Sequence, residues 1–219
     1  MRRGGRPTKA DAEQLAHRIV EAATELFFMH GYGATTVEAV AKRARISKRT
    51  FYDRFENKPA LFAAVVHRTI ESLRPPAEVP LLRGADIAQV LRGLAEIILR
   101  AALTPRAIAL NRLIVAESSR FPNLASAVAK QGASEEAIQL IAGVLRREPG
   151  AGNLAIDDAT FAAQQFLHMV IAVPQRRAMG LGVPLSSAEV DAWGRDVVNL
   201  FLNGCRGWER RAASREAGR

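Results

Sequence analysis

The chain has little of the chemistry that marks metalloproteins, disulfide-bonded proteins and many enzymes. Cys205 is its only cysteine, so an intramolecular disulfide and any metal motif with two cysteines are excluded. The four histidines, His17, His30, His67 and His168, are scattered and form no Glu-x-x-His pair of the di-iron type. There is also no glycine-rich phosphate loop and no nucleophile elbow. We therefore predict a protein that is not an enzyme, with no catalytic residue, no metal site and no cofactor.

Long hydrophobic runs are also absent. No apolar run approaches the roughly 18 residues that span a bilayer, and the stretch from Met169 to Val173 ends at Pro174. The N-terminal sequence MRRGGRPTKADAE is basic but has no apolar stretch behind it, which is not the pattern of a secretory signal. We expect a soluble cytoplasmic protein without a membrane partner.

Positive charge is concentrated at the front of the chain. The net charge is +9: residues 1–74 carry +6, residues 75–203 are neutral and residues 204–219 carry +3. A basic front beside a neutral middle suggests that the first segment meets a polyanion. The alternative is that the basic termini are merely solvated tails.

Helical signals dominate, and no alternating strand pattern is convincing, so we predict an all-α fold of about nine helices. The first helix should cover residues 11–30 and end at Gly31. The second should begin at Thr35, with Glu38 completing a capping box. Ser47 should cap the third helix. Asn57 and Pro59 should open the fourth, which ends near Leu73.

A break at Pro75-Pro76 and Pro80 coincides with the change from basic to neutral composition. It predicts four segments: a basic arm (1–10), a small basic domain (11–74), a larger neutral C-terminal domain (75–204) and a basic tail (205–219). About five further helices should cover 86–103, 105–119, a stretch from Pro122 to 147, a stretch capped by Asp157 up to 179, and a last one from Ser186 to Gly204.

The segment from Thr35 to Phe55, TTVEAVAKRARISKRTFYDRF, indicates a helix-turn-helix. Its second helix, which we expect to have nine residues, carries Lys48-Arg49-Thr50 on one side. Phe51 and Phe55 lie on the other and should be core. Double-stranded DNA is densely charged and its major groove admits one helix, so the cationic side suits that groove.

Several side chains are suited to particular contacts with DNA. Arg49 could donate two hydrogen bonds to guanine, while Thr36 and Lys58 lie at helix N-termini that could hold phosphates. Arg45, in the turn, is another candidate for a phosphate contact. The arm could reach an adjacent groove through Arg2, Arg3 and Arg6. In the alternative readings Thr36 only caps a helix, Lys58 is solvated and the arm is only mobile.

The sequence HGYGATT followed by VEAVAKRARISKRTFYDRFENKPALF resembles the DNA-binding domain of TetR/AcrR-family transcriptional regulators. The resemblance covers residues 11–70 and includes the turn at 31–33, the threonine pair at 35–36 and Phe51-Tyr52-x-x-Phe55. It implies that Tyr52 contacts phosphate, although Tyr52 could also be half-buried packing. A shorter segment at 116–124 resembles the C-terminal domains of a TetR subgroup. The predicted DNA-binding residues are Thr35, Thr36, Arg45, Ser47, Lys48, Arg49, Thr50, Tyr52 and Lys58.

One recognition helix contacts too few base pairs for selective binding, which favours a two-fold dimer on an inverted-repeat operator. The resemblance implies that the last two helices pair with those of a second copy in a four-helix bundle. The apolar residues predicted for this interface could instead form ordinary monomer core. They are Phe161, Met169, Trp193, Val197 and Phe201.

The neutral C-terminal helices and the resemblance imply a pocket for a small-molecule effector. Its candidate residues are Leu110, Asn111, Arg112, Leu113, Ile114, Glu117, Phe166 and His168. Repression is the norm that the resemblance implies, with an activator as the alternative. A helical adaptor that binds only protein would leave the cationic edge of the third helix unexplained.

Overall fold

The computed structural model describes residues 8–74, 86–129, 132–147 and 156–204. These residues contain helices and no strand, which confirms the all-α prediction. The ten helices are α1 (Lys9–Ala34), α2 (Val37–Arg43), α3 (Lys48–Tyr52), α4 (Lys58–Leu73), α5 (Ile87–Ala102), α6 (Pro105–Glu117), α7 (Asn123–Ala129), α8 (Ala133–Arg147), α9 (Ala159–Ala178) and α10 (Ser187–Asn203).

The helices pack as two compact units, each with its own apolar core. Among the described residues, the first unit holds the chain up to Ser72 together with the segment Ala109–Gly132. Within that segment, Leu110, Leu113 and Leu124 pack into the core of the first unit. The predicted domain boundary near residue 75 falls outside the described residues and stays a prediction.

Aromatic rings dominate the core of the first unit. Phe27, Phe51 and Phe62 are fully buried, and the Tyr32 ring lies 5.3 Å from that of Phe62 and 4.9 Å from that of Phe121. Edge-to-face pairs of this kind add about 0.5–1.5 kcal/mol each beyond the area they bury. The chain of rings therefore fixes the end of α1 against α4 and the segment after α6.

The second unit contains α5, α8, α9 and α10. Their shared core includes Leu91 and Leu99 of α5, Phe166 of α9 and Val198 of α10, all almost completely buried. Asp86 caps α5, because its carboxylate accepts a hydrogen bond from the backbone N–H of Gln89.

Several predicted helix ends are confirmed. Gly31 interrupts α1 with φ +85°, a left-handed conformation that glycine adopts without steric cost. Asn57 accepts a hydrogen bond from the backbone N–H of Ala60. Ser186 and Glu189 form a complete capping box at the start of α10. Gly204 ends that helix with φ +58°.

Four local predictions are wrong. Thr36, rather than Thr35, is the N-cap of α2. The third helix ends at Tyr52, after five residues rather than nine. The stretch predicted as one helix after Pro122 forms α7 and α8, with Gly132 at φ +69° between them. Asp158 rather than Asp157 caps α9, because its carboxylate accepts from the two N–H groups of the first turn.

Candidate nucleic-acid interface

The turn between α2 and α3 sets the direction of the third helix. The Ile46 N–H donates to Ala41 O at 2.9 Å and the Arg45 N–H donates to Lys42 O at 3.2 Å. This pair of bonds defines a Schellman motif, whose next-to-last position is left-handed and usually glycine. Here that position is Arg45, with φ +55°, and its side chain is exposed. An arginine retained in a strained conformation suggests a role outside stability.

The start of α3 is held by its own cap. The Ser47 hydroxyl accepts from the Thr50 N–H at 3.1 Å and lies 2.8 Å from the Thr50 hydroxyl. Lys48 and Arg49 follow the cap and are both exposed, as predicted. Both cationic side chains therefore remain accessible on the solvent side of α3.

Lys48 is not an isolated charge, because it forms an ion pair with Glu38 of α2. The hydrogen bond from Lys48 holds the pKa of the Glu38 carboxyl below its ordinary value, and the same bond raises the pKa of Lys48. Both side chains are more than half exposed, so water and salt screen this pair strongly. Sequence reasoning placed Glu38 only in a cap and missed this contact.

The two aromatic residues of α3 point in opposite directions. Phe51 is fully buried, whereas 54% of Tyr52 is exposed. The Tyr52 ring lies edge-on to Phe51 at 5.3 Å between centroids, so it rests on the core residue while its other side stays open to solvent. Phe55 is partly buried against the same core.

The two threonines before α2 differ sharply. Thr36 is exposed, and its hydroxyl accepts from the Ala39 N–H at 3.1 Å, which leaves the N-terminus of α2 open to a phosphate. Thr35 is buried, and its hydroxyl donates to the carbonyls of Gly31 at 2.8 Å and Leu26 at 3.2 Å. The geometry therefore gives no support to a DNA contact by the Thr35 side chain.

Lys58 has a structural set of partners. Its Nζ donates to Tyr32 O at 2.8 Å, to Thr35 O at 2.9 Å and to Gly33 O at 3.4 Å, and it lies 4.4 Å from the centroid of the Tyr32 ring. These three carbonyls use all three N–H donors of the ammonium group. Burial lowers the pKa of Lys58, and the carboxylate of Glu117 acts in the opposite direction. The phosphate contact predicted for Lys58 stays a prediction, but here the side chain holds the turn that leads to Thr36.

The predicted interface residues lie mostly within the second unit's own core. Val197 is almost completely buried, the Trp193 indole N–H donates to Val170 O at 2.9 Å, and the Phe201 ring lies 5.1 Å from Phe166. Met169 is partly buried against the same core, while Phe161 is 59% exposed. The dimer stays a prediction, and of the five residues Phe161 offers the most free apolar surface.

The eight candidate effector residues are not brought together. Leu110, Leu113 and Ile114 pack in the core of the first unit, whereas Phe166 is buried in the core of the second. Asn111, Arg112 and Glu117 lie on α6 within the first unit. His168 is exposed on α9.

A groove of about 280 Å³ lies between α5 and α10 in the second unit. Leu99, Val190 and Gly194 contribute to its lining, and three arginines and two carboxylates complete it: Arg92, Arg100, Arg195, Glu96 and Asp191. None of the eight candidate effector residues lines this groove. Nothing in the sequence pattern singled it out, because its two sides come from helices about 100 residues apart.

Two family models match the chain. Residues 19–65 match the model of bacterial regulatory proteins of the tetR family. Residues 89–204, more than half of the chain, match the C-terminal domain of AefR-like transcriptional repressors. The chain belongs to the TetR family. This membership and the helical fold point to transcriptional regulation rather than to catalysis.

Individual relatives agree with this membership. A solved structure, the flavonoid-responsive regulator FrrA, is 31% identical with a TM-score of 0.69, covering 87% of this chain and 96% of that one. The HTH-type transcriptional activator FasR of Mycolicibacterium smegmatis is 32% identical over 95 residues, which cover 43% of this chain and 42% of FasR. The uncharacterized HTH-type transcriptional regulator YhgD of Bacillus subtilis is 40% identical over 60 residues, which cover 27% of this chain and 31% of YhgD. These matches therefore span well under two thirds of either curated relative.

The first unit carries the TetR-family helix-turn-helix, and α3 is the second helix of that motif. Among the residues that the structure describes, no helix is long and apolar enough to cross a bilayer. Within the same residues, no three His, Cys, Asp or Glu side chains are grouped so that they could hold a metal ion.

Proposed function

We propose that this TetR-family regulator is a repressor that binds a palindromic operator as a homodimer and is released by a small molecule. The observation that carries the proposal is the construction of α3. Phe51 is fully buried, while Lys48 and Arg49 are exposed on the helix that this phenylalanine anchors. A helix fixed to the protein on one side and cationic on the other fits the major groove.

The side chains divide into two roles at the DNA. Arg49 reads a base through two hydrogen bonds to guanine, worth about 1–3 kcal/mol of discrimination. Thr36, Arg45 and Tyr52 contact phosphates, which fix the position of the helix but carry no sequence information. Lys48 exchanges its ion pair with Glu38 for the field of the DNA, since a pair this exposed costs little to open.

Two copies of the chain read the two halves of an inverted repeat. The dimer forms through α9 and α10, where Phe161 presents an exposed apolar ring. Most other apolar residues of these helices serve the core, so the partner packs on the exposed rims of α9 and α10.

A small apolar or amphipathic effector binds the C-terminal helices and lowers the affinity for DNA. By linkage, operator DNA must weaken effector binding by the same factor. The name of FrrA supports a response to a small molecule, and the match to the AefR-like repressor model supports repression. Activation is the second candidate function, because the relative FasR is a transcriptional activator. The regulator acts in the cytoplasm.

Selection of bound duplexes from a random DNA pool tests the proposal. The expected result is one enriched inverted repeat. Arg49→Ala should relax base preference at symmetric positions of that repeat, whereas the control Arg92→Ala, on α5, should leave the preference unchanged. An enriched pool without inverted symmetry would contradict the dimer. A pool without enrichment would contradict sequence-specific DNA binding itself.

A further inference from the structure

The carboxylate of Glu117, the last residue of α6, lies against the turn that ends α1. Its Oε1 accepts a hydrogen bond from the Gly33 N–H at 3.3 Å. A methyl group on Gly31 would lie 2.5 Å from the same oxygen, and one on Gly33 would lie 3.4 Å from Oε2 and 3.3 Å from the Phe121 ring. Because neither glycine has a side chain, the Glu117 carboxylate can occupy the space beside this turn.

The second oxygen of this carboxylate has an unusual environment. Glu117 Oε2 is buried and has no hydrogen-bond partner among the described residues. A buried carboxylate oxygen without a partner costs free energy, so its retention calls for an explanation. The positive charge of Lys58 provides partial compensation, since it interacts electrostatically with Glu117.

Glu117 and Lys58 hold the same turn by opposite groups. The carboxylate accepts from the Gly33 N–H, while the ammonium donates to the carbonyls of Tyr32 and Thr35. Thr36, the cap of α2 and the proposed phosphate contact, comes directly after this turn. The direction of the exposed N–H groups at the start of α2 therefore depends on both side chains.

We propose that Glu117 is a positioning residue for DNA binding, through which α6 sets the turn before α2. The inference rests on the proposed function and deepens its DNA-binding step. Glu117 is the last residue of α6, so the packing of this end of α6 within the first unit fixes where the carboxylate meets the Gly33 N–H. Without that bond the turn relaxes, and the N-terminus of α2 no longer faces a phosphate correctly.

The first test compares Glu117→Ala with Glu117→Gln in the full chain, using the duplex that the random pool selects. Glu117→Ala should weaken DNA binding roughly tenfold, as expected for losing a hydrogen bond to a charged group. Glu117→Gln keeps an acceptor for the Gly33 N–H and should stay within about threefold of the original affinity. The control Glu96→Ala removes an exposed carboxylate from α5, where it pairs with Arg100. It should leave the affinity for DNA unchanged.

Two further readouts separate positioning from a merely structural role. Amide exchange at Gly33, followed by NMR, should become faster in Glu117→Ala than in the original chain. The dependence of affinity on salt should keep its slope, because Glu117 contacts no phosphate. A role confined to stability would lower the melting temperature but leave the affinity of the folded protein and its Gly33 exchange unaltered.

A second variant covers the possibility that Glu117→Ala does not fold. Gly33→Ala adds a methyl group in close contact with Oε2 and Phe121, at a glycine whose φ is not left-handed. It should weaken DNA binding by a similar factor, and combining it with Glu117→Gln should cost less than the sum of the two. If folded Glu117→Ala or Gly33→Ala binds the duplex as tightly as the original chain, the inference is overturned. Failure of the original chain to bind any duplex would instead overturn the proposed function.

Discussion

Replacing Lys58 by methionine should destabilise the first unit without removing a phosphate contact. Methionine keeps the aliphatic stem but has no ammonium group. The carbonyls of Tyr32 and Thr35 would lose donors at 2.8 and 2.9 Å, and that of Gly33 a weaker donor at 3.4 Å. Hydrogen bonds from charged groups contribute about 1.5–3 kcal/mol each.

Part of that loss is recovered, because the methionine variant no longer buries a charge. The burial that lowers the pKa of Lys58 is an unfavourable contribution in the folded state. Two short bonds at the lower end of that range contribute about 3 kcal/mol, and the recovered cost of burying the charge leaves a net loss of about 2 kcal/mol in the free energy of unfolding. In a chain of this length each kcal/mol lowers the melting temperature by roughly 2–4 °C, so the fall should be about 4–8 °C.

Calorimetry and a salt titration of DNA binding make the test. Loss of a phosphate contact would reduce the log–log salt slope by about 0.9 for each copy of the chain on the DNA, whereas loss of a positioning contact lowers affinity at every salt concentration with the slope unchanged. Lys42→Met, at an exposed lysine of α2, is the control for stability and should change the melting temperature by little. An unchanged melting temperature together with the smaller slope would refute the structural role and restore the phosphate contact.

Three further predictions address the turn, the ion pair and a cap. Arg45→Gly should raise the melting temperature, since glycine avoids the left-handed strain of about 1 kcal/mol. The same substitution should reduce the salt slope of DNA binding. An unchanged slope would exclude a phosphate contact by Arg45. Glu38→Gln should strengthen DNA binding several-fold at low salt in an anisotropy titration, because it releases Lys48 from its ion pair with residue 38. Weaker binding would mean that Glu38 holds Lys48 in its binding position. Hydrogen bonds from the Ser186 backbone and hydroxyl hold the pKa of Glu189 below its ordinary 4.5. These bonds therefore stabilise the folded state fully above that value, and their contribution is lost as the pH falls through the lower pKa of the folded state. In urea titrations at several pH values, the free energy of unfolding of Glu189→Gln should fall less steeply with decreasing pH than that of the original chain. An identical fall in the two proteins would contradict the role of this cap.

Local signals in the sequence predicted much of the fold, because they act over a few residues. Ser186 and Gly204 fulfil their predicted roles since a cap needs only the neighbouring backbone groups. The threonine pair shows the limit of such reasoning. Both threonines suit an N-cap, and the choice falls on Thr36 because the carbonyls of α1 engage the Thr35 hydroxyl.

Contacts between distant segments could not be predicted from the pattern. Glu117 was assigned to an effector pocket, and its contact with Gly33 depends on how α6 packs. The apolar spacing of Val197 and Phe201 fits a core and a dimer interface equally well, because both bury the same stripe of a helix. The exposed edge of α3 was predictable, since Phe51 and Phe55 identify its opposite side.

The brevity of α3 has a consequence for how operators diverge. A helix of five residues cannot form by itself in water, since nucleation outweighs one or two turns of hydrogen bonds. Its conformation is imposed by the Ser47 cap and the buried Phe51 ring, while Lys48 and Arg49 contribute little to that conformation. Under the proposed function, substitutions at those two exposed positions would therefore alter the contacts with DNA at small cost in stability, and related regulators would acquire new target sequences while the scaffold stays the same.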